Sequence, residues 1–321
     1  MMPPHDPITQ FNGMNNLTRN LLALFILILL SNHLMAQKDQ TKVVHPAFAC
    51  TDYTQGKVFI ISPDGKLLWD YPADRCNDLW VLPNGNLLFN TGNGVKEVTR
   101  EKKVVFAYES KSEIYACQRL SNGNTFIGEC NTGFLLEVSP KGEIVKKIKL
   151  LPDGTEGDHA YMRNARKLSN GNYLVAHYGL DKVCEYDAAG QLVSEIPVKG
   201  GPHSVIRLPQ GNTLIACSDH NGEPRIVEVD QAGKIVWQLT KDELPGIGLK
   251  FMTGMEVLPN GNLVFTNWLG HHQFGKAPHA FEITRDKHVV WAYSDTTITQ
   301  TMSSIQLLDE KGNVLKGKVL H

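Results

Sequence analysis

The chain has 321 residues, of which 42% are hydrophobic and 20% charged, and its formal net charge is −1. The balance of 32 basic against 33 acidic residues gives no electrostatic reason to expect a nucleic acid or an anionic membrane as a partner. Apolar residues are plentiful and no long charge block or low-complexity tract occurs, which excludes a disordered chain. We therefore expect a soluble globular protein with a sizeable core.

The first apolar segment, residues 21–30, is short and follows Arg19. As a helix it would extend about 15 Å, whereas a bilayer core requires about 20 apolar residues. The basic flank, the short apolar stretch and the small residue Ala36 are typical of a secretory signal peptide. We expect a signal peptide at 1–36, a short linker at 37–46 and a secreted or periplasmic mature chain with no membrane contact; an uncleaved N-terminal anchor is the alternative.

A five-residue phrase recurs about every 40–50 residues: a leucine followed by a turn built on Gly-Asn. The glycines of its copies are Gly85, Gly123, Gly171, Gly211, Gly261 and, in a degenerate copy, Gly312. Asn-Gly between two apolar runs predicts a hairpin. A second phrase follows each copy, an apolar strand, a turn and a strand that often ends in an aromatic residue, as in 227–237. Each unit thus contains four short strands.

Four-stranded units at this spacing, without long helices between them, are typical of β-propeller blades. Five complete units start near residues 77, 115, 163, 203 and 253. The N-terminal fragment 47–71 lacks an innermost strand, which residues 303–308 can supply. We predict an all-β fold, a single six-bladed β-propeller over 47–321 whose ring is closed by joining N- and C-terminal strands. Residues 314–320 also read as a strand and compete with 47–52 for one position.

The phrase 233–237, Gly-Lys-Ile-Val-Trp, and the Pro-Asn-Gly-Asn turn at 83–86 resemble PQQ-like and arylsulfotransferase-type β-propeller repeats. The resemblance covers about residues 47–321 and concerns the repeat type, not an activity. Quinone dehydrogenases of that family have eight blades and a vicinal cysteine pair; this chain has neither, so no quinone is expected. Arylsulfotransferases use a covalent sulfo-histidine, and no stretch here matches their active-site motif.

The six cysteines are scattered and include no CxxC pair, which argues against a metal–thiolate cluster. In an oxidising compartment they allow up to three disulfides, whose pairing the sequence does not assign. In a core of this size we expect most of them to act as small apolar side chains.

One face of the predicted propeller carries only short turns, and the opposite face carries the long loops 150–163, 240–253 and 267–279. Binding and catalytic groups concentrate on loops of a rigid scaffold. Seven histidines fall on this long-loop face: His159, His177, His203, His220, His271, His272 and His279. Histidine suits acid–base chemistry or metal ligation near neutral pH; the alternative is that they are ordinary surface residues.

Aligning the innermost strands places one residue of each blade at the channel entry: Asn77, Tyr115, Arg163, His203, Thr253 and, approximately, Ser303. Such a mixed set suits an anionic or hydroxyl-rich ligand, because guanidinium groups bind carboxylate or sulfate through two hydrogen bonds. The predicted ligand-binding residues are Asp78, Tyr115, His159, Asn164, His177, Asp219 and Trp268. The alternative is that these polar groups only hydrate a central tunnel.

Two classes of function remain. The favoured one is a monomeric binding protein that recognises a small molecule, a glycan or a protein on its long-loop face. The alternative is an extracytoplasmic hydrolase, lyase or sulfotransferase-like enzyme with His203, Arg163 and Arg166 as catalytic residues. A metal ion stays open as a cofactor, with candidate ligands His159, His203 and His271, although no local spacing points to one.

Overall fold

The computed structural model describes residues 45–317 and 319–321. The predicted signal peptide and all but the last two residues of the predicted linker lie outside the described residues. The described part contains 24 strands and one 3-10 turn, Tyr178–Leu180. None of its helical segments is long and apolar enough to cross a bilayer.

The first twelve strands are β1 (Ala47–Asp52), β2 (Lys57–Ile61), β3 (Leu67–Pro72), β4 (Leu79–Val81), β5 (Leu87–Thr91), β6 (Gly94–Val98), β7 (Val104–Glu109), β8 (Ile114–Arg119), β9 (Thr125–Glu129), β10 (Phe134–Val138), β11 (Ile144–Lys149) and β12 (Asn164–Lys167). The other twelve are β13 (Tyr173–His177), β14 (Lys182–Tyr186), β15 (Leu192–Pro197), β16 (Gly200–Arg207), β17 (Thr213–His220), β18 (Arg225–Val229), β19 (Ile235–Thr240), β20 (Met252–Val257), β21 (Leu263–Asn267), β22 (Ala280–Ile283), β23 (Val289–Tyr293) and β24 (Met302–Leu308).

These strands form six antiparallel four-stranded sheets, which are the blades of a six-bladed β-propeller. Blade 1 is β24-β1-β2-β3, and blades 2 to 6 follow as β4–β7, β8–β11, β12–β15, β16–β19 and β20–β23. Each innermost strand contacts the innermost strands of the two neighbouring blades. The predicted fold class is therefore confirmed.

Blade 1 closes the propeller ring because β24 pairs with β1, with Phe48 opposite Leu307 and Cys50 opposite Ile305. This is the closure that the sequence predicts. The competing segment 314–320 contributes only isolated bridges, Leu308 to Val314 and Val257 to Leu320, in the described residues. Hence β1, and not that segment, occupies the contested position.

The repeated turn works through one positive φ angle and one side chain. In blade 2 the Gly85 amide donates to the Leu82 carbonyl at 2.8 Å, and Gly85 has φ +85°. The preceding Asn84 keeps a negative φ; its side-chain oxygen instead accepts from the Asn86 amide at 3.1 Å. Glycine is favoured at this left-handed position because it has no β-carbon, and asparagine is favoured before it because its side-chain oxygen closes the turn.

The second asparagine of the turn ties neighbouring blades together. Asn86 donates to Glu97 on the third strand at 2.6 Å, and Glu97 forms an ion pair of 2.5 Å with Arg119 on the innermost strand of blade 3. The equivalent residues between blades 4 and 5 are Asn172, Glu185 and Arg207. Each tie therefore links the turn, its own blade and the next blade. Since these groups are largely shielded from water, their charge-assisted hydrogen bonds are strong.

The apolar core is divided into six clusters, one at each interface between blades. Outer-strand tryptophans add to these interfaces: the Trp69 indole donates to the Arg100 carbonyl of the next blade at 2.8 Å, and Trp237 donates likewise to Arg285 at 3.0 Å. The six cysteines, all within the described residues, are free and buried, as expected for small apolar side chains.

Asp52 reinforces the closure of the propeller ring. Its fully buried carboxylate accepts from the Gln300 amide at 2.6 Å and from the Thr301 amide at 3.1 Å, just before β24. Replacing it by alanine removes these charge-assisted hydrogen bonds and leaves the buried Thr301 amide and the partly buried Gln300 amide unsatisfied. We expect Asp52→Ala to lower the free energy of unfolding by about 2–4 kcal/mol, measured by urea denaturation. Asp153→Ala, at a fully exposed carboxylate, is the control and should cost less than about 0.5 kcal/mol. Similar losses in both variants would contradict the role of Asp52 in ring closure.

Candidate functional site

A pocket of about 210 Å³ opens on the long-loop face, at the end of the channel where the innermost strands begin. All six residues of the aligned column line it: Asn77, Tyr115, Arg163, His203, Thr253 and Ser303. The wall above them comes from loops and strand ends: Tyr53, His159, Tyr178, Phe251, Trp268 and His271. One residue per blade thus forms the floor, and the loops build an aromatic rim.

Below the pocket the channel narrows to a space of only about 10 Å³. Arg166 binds both carboxylate oxygens of Asp78, at 2.8 and 2.9 Å. The Arg166 side chain also donates to the His321 carbonyl at 3.2 Å, and the His321 ring lies 4.8 Å from the ring of Trp80. These contacts fill the channel beneath the pocket.

The aromatic rim is continuous. The rings of Phe251 and Trp268 are 5.1 Å apart, and those of Trp268 and His271 are 4.8 Å apart. On the other side Phe251 faces Tyr178 at 6.3 Å with an interplanar angle of 22°. Aromatic side chains in this arrangement present flat apolar surfaces toward the pocket.

Two local features position the rim. The Asn267 side chain, at the end of β21, accepts from the backbone amides of Lys250 and Phe251 at 2.8 and 3.2 Å. This holds Phe251 at the start of β20. At Gly270 a β-carbon would lie 2.0 Å from the Trp268 indole, so only glycine permits the observed position of that ring.

Arg163 projects between two tyrosines on the pocket floor. Its guanidinium carbon is 4.4 Å from the centre of the Tyr115 ring and 4.9 Å from that of Tyr178. Only 9% of the residue is exposed. Such cation–π contacts hold the guanidinium in place without neutralising its charge.

His203 is buried beside Arg163. Its pKa is held well below the usual value, chiefly by burial and then by electrostatic interactions with Arg163 and His159. Its imidazole is therefore neutral near neutral pH and can accept a proton or a hydrogen bond. At the rim, His159 Nδ1 lies 2.7 Å from the Glu113 carboxylate, and the Tyr115 hydroxyl is 3.4 Å from the same imidazole.

The structure divides the residues predicted from sequence into three groups. Six lie around the pocket: His203, Arg163, Tyr115, His159, Trp268 and His271. Asp78, Asn164 and Arg166 surround the constriction below it. His177 is buried elsewhere and bonds to the Tyr161 carbonyl and the Tyr186 hydroxyl at 3.0 and 2.9 Å, while Asp219 is exposed outside the lining.

The three candidate metal ligands line the same pocket. Within residues 45–317 and 319–321, however, no group of three or more His, Cys, Asp or Glu side chains is placed to hold a metal ion.

Sequence reasoning misses Tyr53, Phe251 and Glu113. Each is adjacent to a strand end on the long-loop face: Tyr53 follows β1, Phe251 precedes β20 and Glu113 precedes β8. Extending the aligned column by two positions into the loops would have found Glu113 and Phe251, but not Tyr53, which follows the second strand of blade 1.

Comparison with solved structures finds similar propellers. A protein of unknown function from Bacteroides caccae is 28% identical with a TM-score of 0.74, over 81% of this chain and 98% of that one. A streptogramin B lyase is 15% identical with a TM-score of 0.54, over 77% and 78% of the two chains. The virginiamycin B lyase of Staphylococcus aureus is 16% identical with a TM-score of 0.52, over 80% and 86%. At these identities the two lyases share the fold with this chain.

A scan against protein-family models finds no match, and a search of the curated proteins finds none either. The resemblance to PQQ-like and arylsulfotransferase-type repeats therefore stays a prediction.

The buried, neutral histidines make stability depend on pH. Burial lowers the pKa of His177 to about 4 from an ordinary value of 6.5. Between these values the unfolded chain binds a proton that folded His177 does not, so acid favours unfolding. We expect the free energy of unfolding to fall by about 3 kcal/mol from this residue as pH drops from about 7 to about 4.

Urea denaturation across that pH range measures the effect. His177→Gln should show a flatter pH profile than the natural protein, whereas His288→Gln, at an exposed histidine, should keep the original profile. An unchanged pH profile in His177→Gln would show that the low pKa of His177 is not a cause of the acid destabilisation.

Proposed function

We propose that this protein is a secreted or periplasmic binding protein that takes a small organic molecule into the pocket at the long-loop end of its channel. The observation that carries the proposal is that the pocket is blind. It opens among the loops, encloses about 210 Å³ and ends below at the Arg166–Asp78 pair and His321. Concave sites with apolar walls and a few polar groups are typical of small-molecule recognition.

The shape of the pocket favours a small molecule over a glycan chain or a protein. Its floor is recessed behind the rings of Phe251, Trp268 and Tyr178. A compact ligand can reach Arg163 and His203 there, whereas a broad partner surface contacts only the rim. The predicted signal peptide supports the extracytoplasmic location.

The pocket is also preformed. Its floor residues lie on or next to innermost strands held by the ladder of each blade, and Asn267 fixes the backbone at Phe251. A site that is ordered before binding loses little conformational entropy when the ligand arrives, so more of the contact energy is available as affinity.

Enzymatic turnover is the second candidate function, as a lyase, a hydrolase or a sulfotransferase-like enzyme. Two observations favour it: the neutral imidazole of His203 lies next to the cationic Arg163, and His159 is oriented by Glu113 at 2.7 Å. A neutral histidine can act as a general base, and a carboxylate that orients a histidine is a recurrent arrangement in catalysis. Two solved structures of similar fold are lyases.

A fragment screen tests the binding function. We expect small aromatic compounds, at about 1 mM, to raise the melting temperature and to show saturable binding by calorimetry. Phe251→Ala removes a pocket wall and should weaken binding about tenfold or more. Phe274→Ala is the matched control: it removes a phenyl group on the same face that lies outside the pocket. Equal binding to both variants, or no binding to the natural protein, would argue against the proposed site.

Mass analysis of the recovered ligand tests turnover. A binding protein returns the ligand unchanged, a lyase conserves the total mass of the products and a hydrolase adds the mass of water. If the protein is an enzyme, His203→Gln should reduce turnover by about 100-fold or more without lowering the melting temperature. His220→Gln, outside the pocket lining, should remain active. Full turnover in His203→Gln would eliminate this histidine as the base.

A further inference from the structure

Arg163 is a buried guanidinium without a counter-charge. Its Nε has no hydrogen-bond partner in the described part of the chain, and its side chain forms no ion pair with any described carboxylate. The two tyrosine rings beside it, at 4.4 and 4.9 Å, stabilise a cation but accept no strong hydrogen bond from it. An unpaired buried charge is unfavourable, so a fold that retains one requires a reason.

Arg166, three residues away, shows what a structural arginine looks like in this channel. It forms two hydrogen bonds with the buried carboxylate of Asp78, at 2.8 and 2.9 Å. That pair is complete, and it lies at the constriction beneath the pocket. Arg163 borders the same constriction but also lines the pocket above it, where an entering molecule can reach its guanidinium.

Among the described residues, no free carboxylate is placed to neutralise Arg163, since Asp78 at the constriction is already paired with Arg166. The twelve residues that line the pocket include three histidines and no aspartate or glutamate. Burial, Arg163 and His159 together lower the pKa of His203. Its neutral imidazole can form a hydrogen bond, but it does not offset the charge of Arg163. Glu113 is already engaged by His159 at the rim. The described residues therefore leave no carboxylate for Arg163, and a molecule that enters the pocket can supply one.

We propose that the ligand is a small aromatic carboxylate, bound through its carboxylate to Arg163 and through its aromatic ring to Phe251 and Trp268. This inference rests on the proposed binding function and names its ligand class. A carboxylate matches the planar fork of a guanidinium through two parallel hydrogen bonds. One arginine balances a single negative charge, which disfavours a dianionic phosphate. The aromatic rim supplies stacking surfaces for a flat apolar body.

Calorimetry with matched probes tests the ligand class. The probes are benzoate and naphthalene-2-carboxylate, each compared with its neutral amide and with the sulfonate of the same ring. We expect at least one carboxylate to bind the natural protein about tenfold or more tightly than its amide. Arg163→Met should reduce carboxylate binding to the level of the amide.

The other outcomes overturn the inference in distinguishable ways. If amide and carboxylate bind equally, the pocket is a binding site but the anion assignment is wrong. If only the sulfonate binds, the site takes an anion but not a carboxylate. If no probe binds but other compounds of the fragment screen do, the ligand class is wrong and the binding function stands; if neither binds, both are wrong.

A second measurement needs no ligand. Arg163→Met removes an unpaired buried charge and keeps an apolar side chain, so the melting temperature of the ligand-free protein should stay the same or rise. Arg166→Met leaves the buried Asp78 carboxylate without its ion-pair partner and should lower the melting temperature clearly. If Arg163→Met is destabilised as much as Arg166→Met, Arg163 has a structural role and the proposal is overturned.

Discussion

The pairing of β24 with β1 is the constraint on which the rest of the molecule depends. It joins strands about 250 residues apart in the chain and turns a row of five complete blades into a closed ring. Asp52 strengthens the same joint by accepting hydrogen bonds from the two amides that precede β24. Closure brings the six innermost strands around one axis, and only there can one residue from each blade line a common pocket.

The two faces of the propeller have different roles: one stabilises the ring of blades and the other carries the pocket. On the face of short turns, the repeated asparagine, the third-strand glutamate and a basic residue of the next blade form buried ties, as in Asn86, Glu97 and Arg119. On the opposite face, loops of unequal length supply the aromatic rim. Because the ties and the six interface clusters hold the blades, the loops are free to vary in length and composition.

The channel uses arginine in two ways, and its surroundings decide which. Arg166 forms a closed pair with Asp78 and takes part in sealing the lower end. Arg163 stands between Tyr115 and Tyr178 without an acidic partner in the described residues. The first arrangement stabilises the empty protein, whereas the second is completed by an anion that enters the pocket. The same contrast underlies the ligand class that we propose.

The amino-acid sequence by itself determined the repeat, the blade count, the closure through both ends of the chain and the six residues of the pocket floor. Each of these depends on a local pattern at a constant distance from a Gly-Asn turn, so counting along the chain is sufficient. The tertiary structure alone decided how the loops are arranged around that floor. Tyr53 and Phe251 join the rim, Glu113 binds His159, Asp78 pairs with Arg166 across the channel, and His177 turns away into the core. Side-chain direction in irregular loops, and contacts between residues distant in the chain, depend on packing between blades rather than on local spacing.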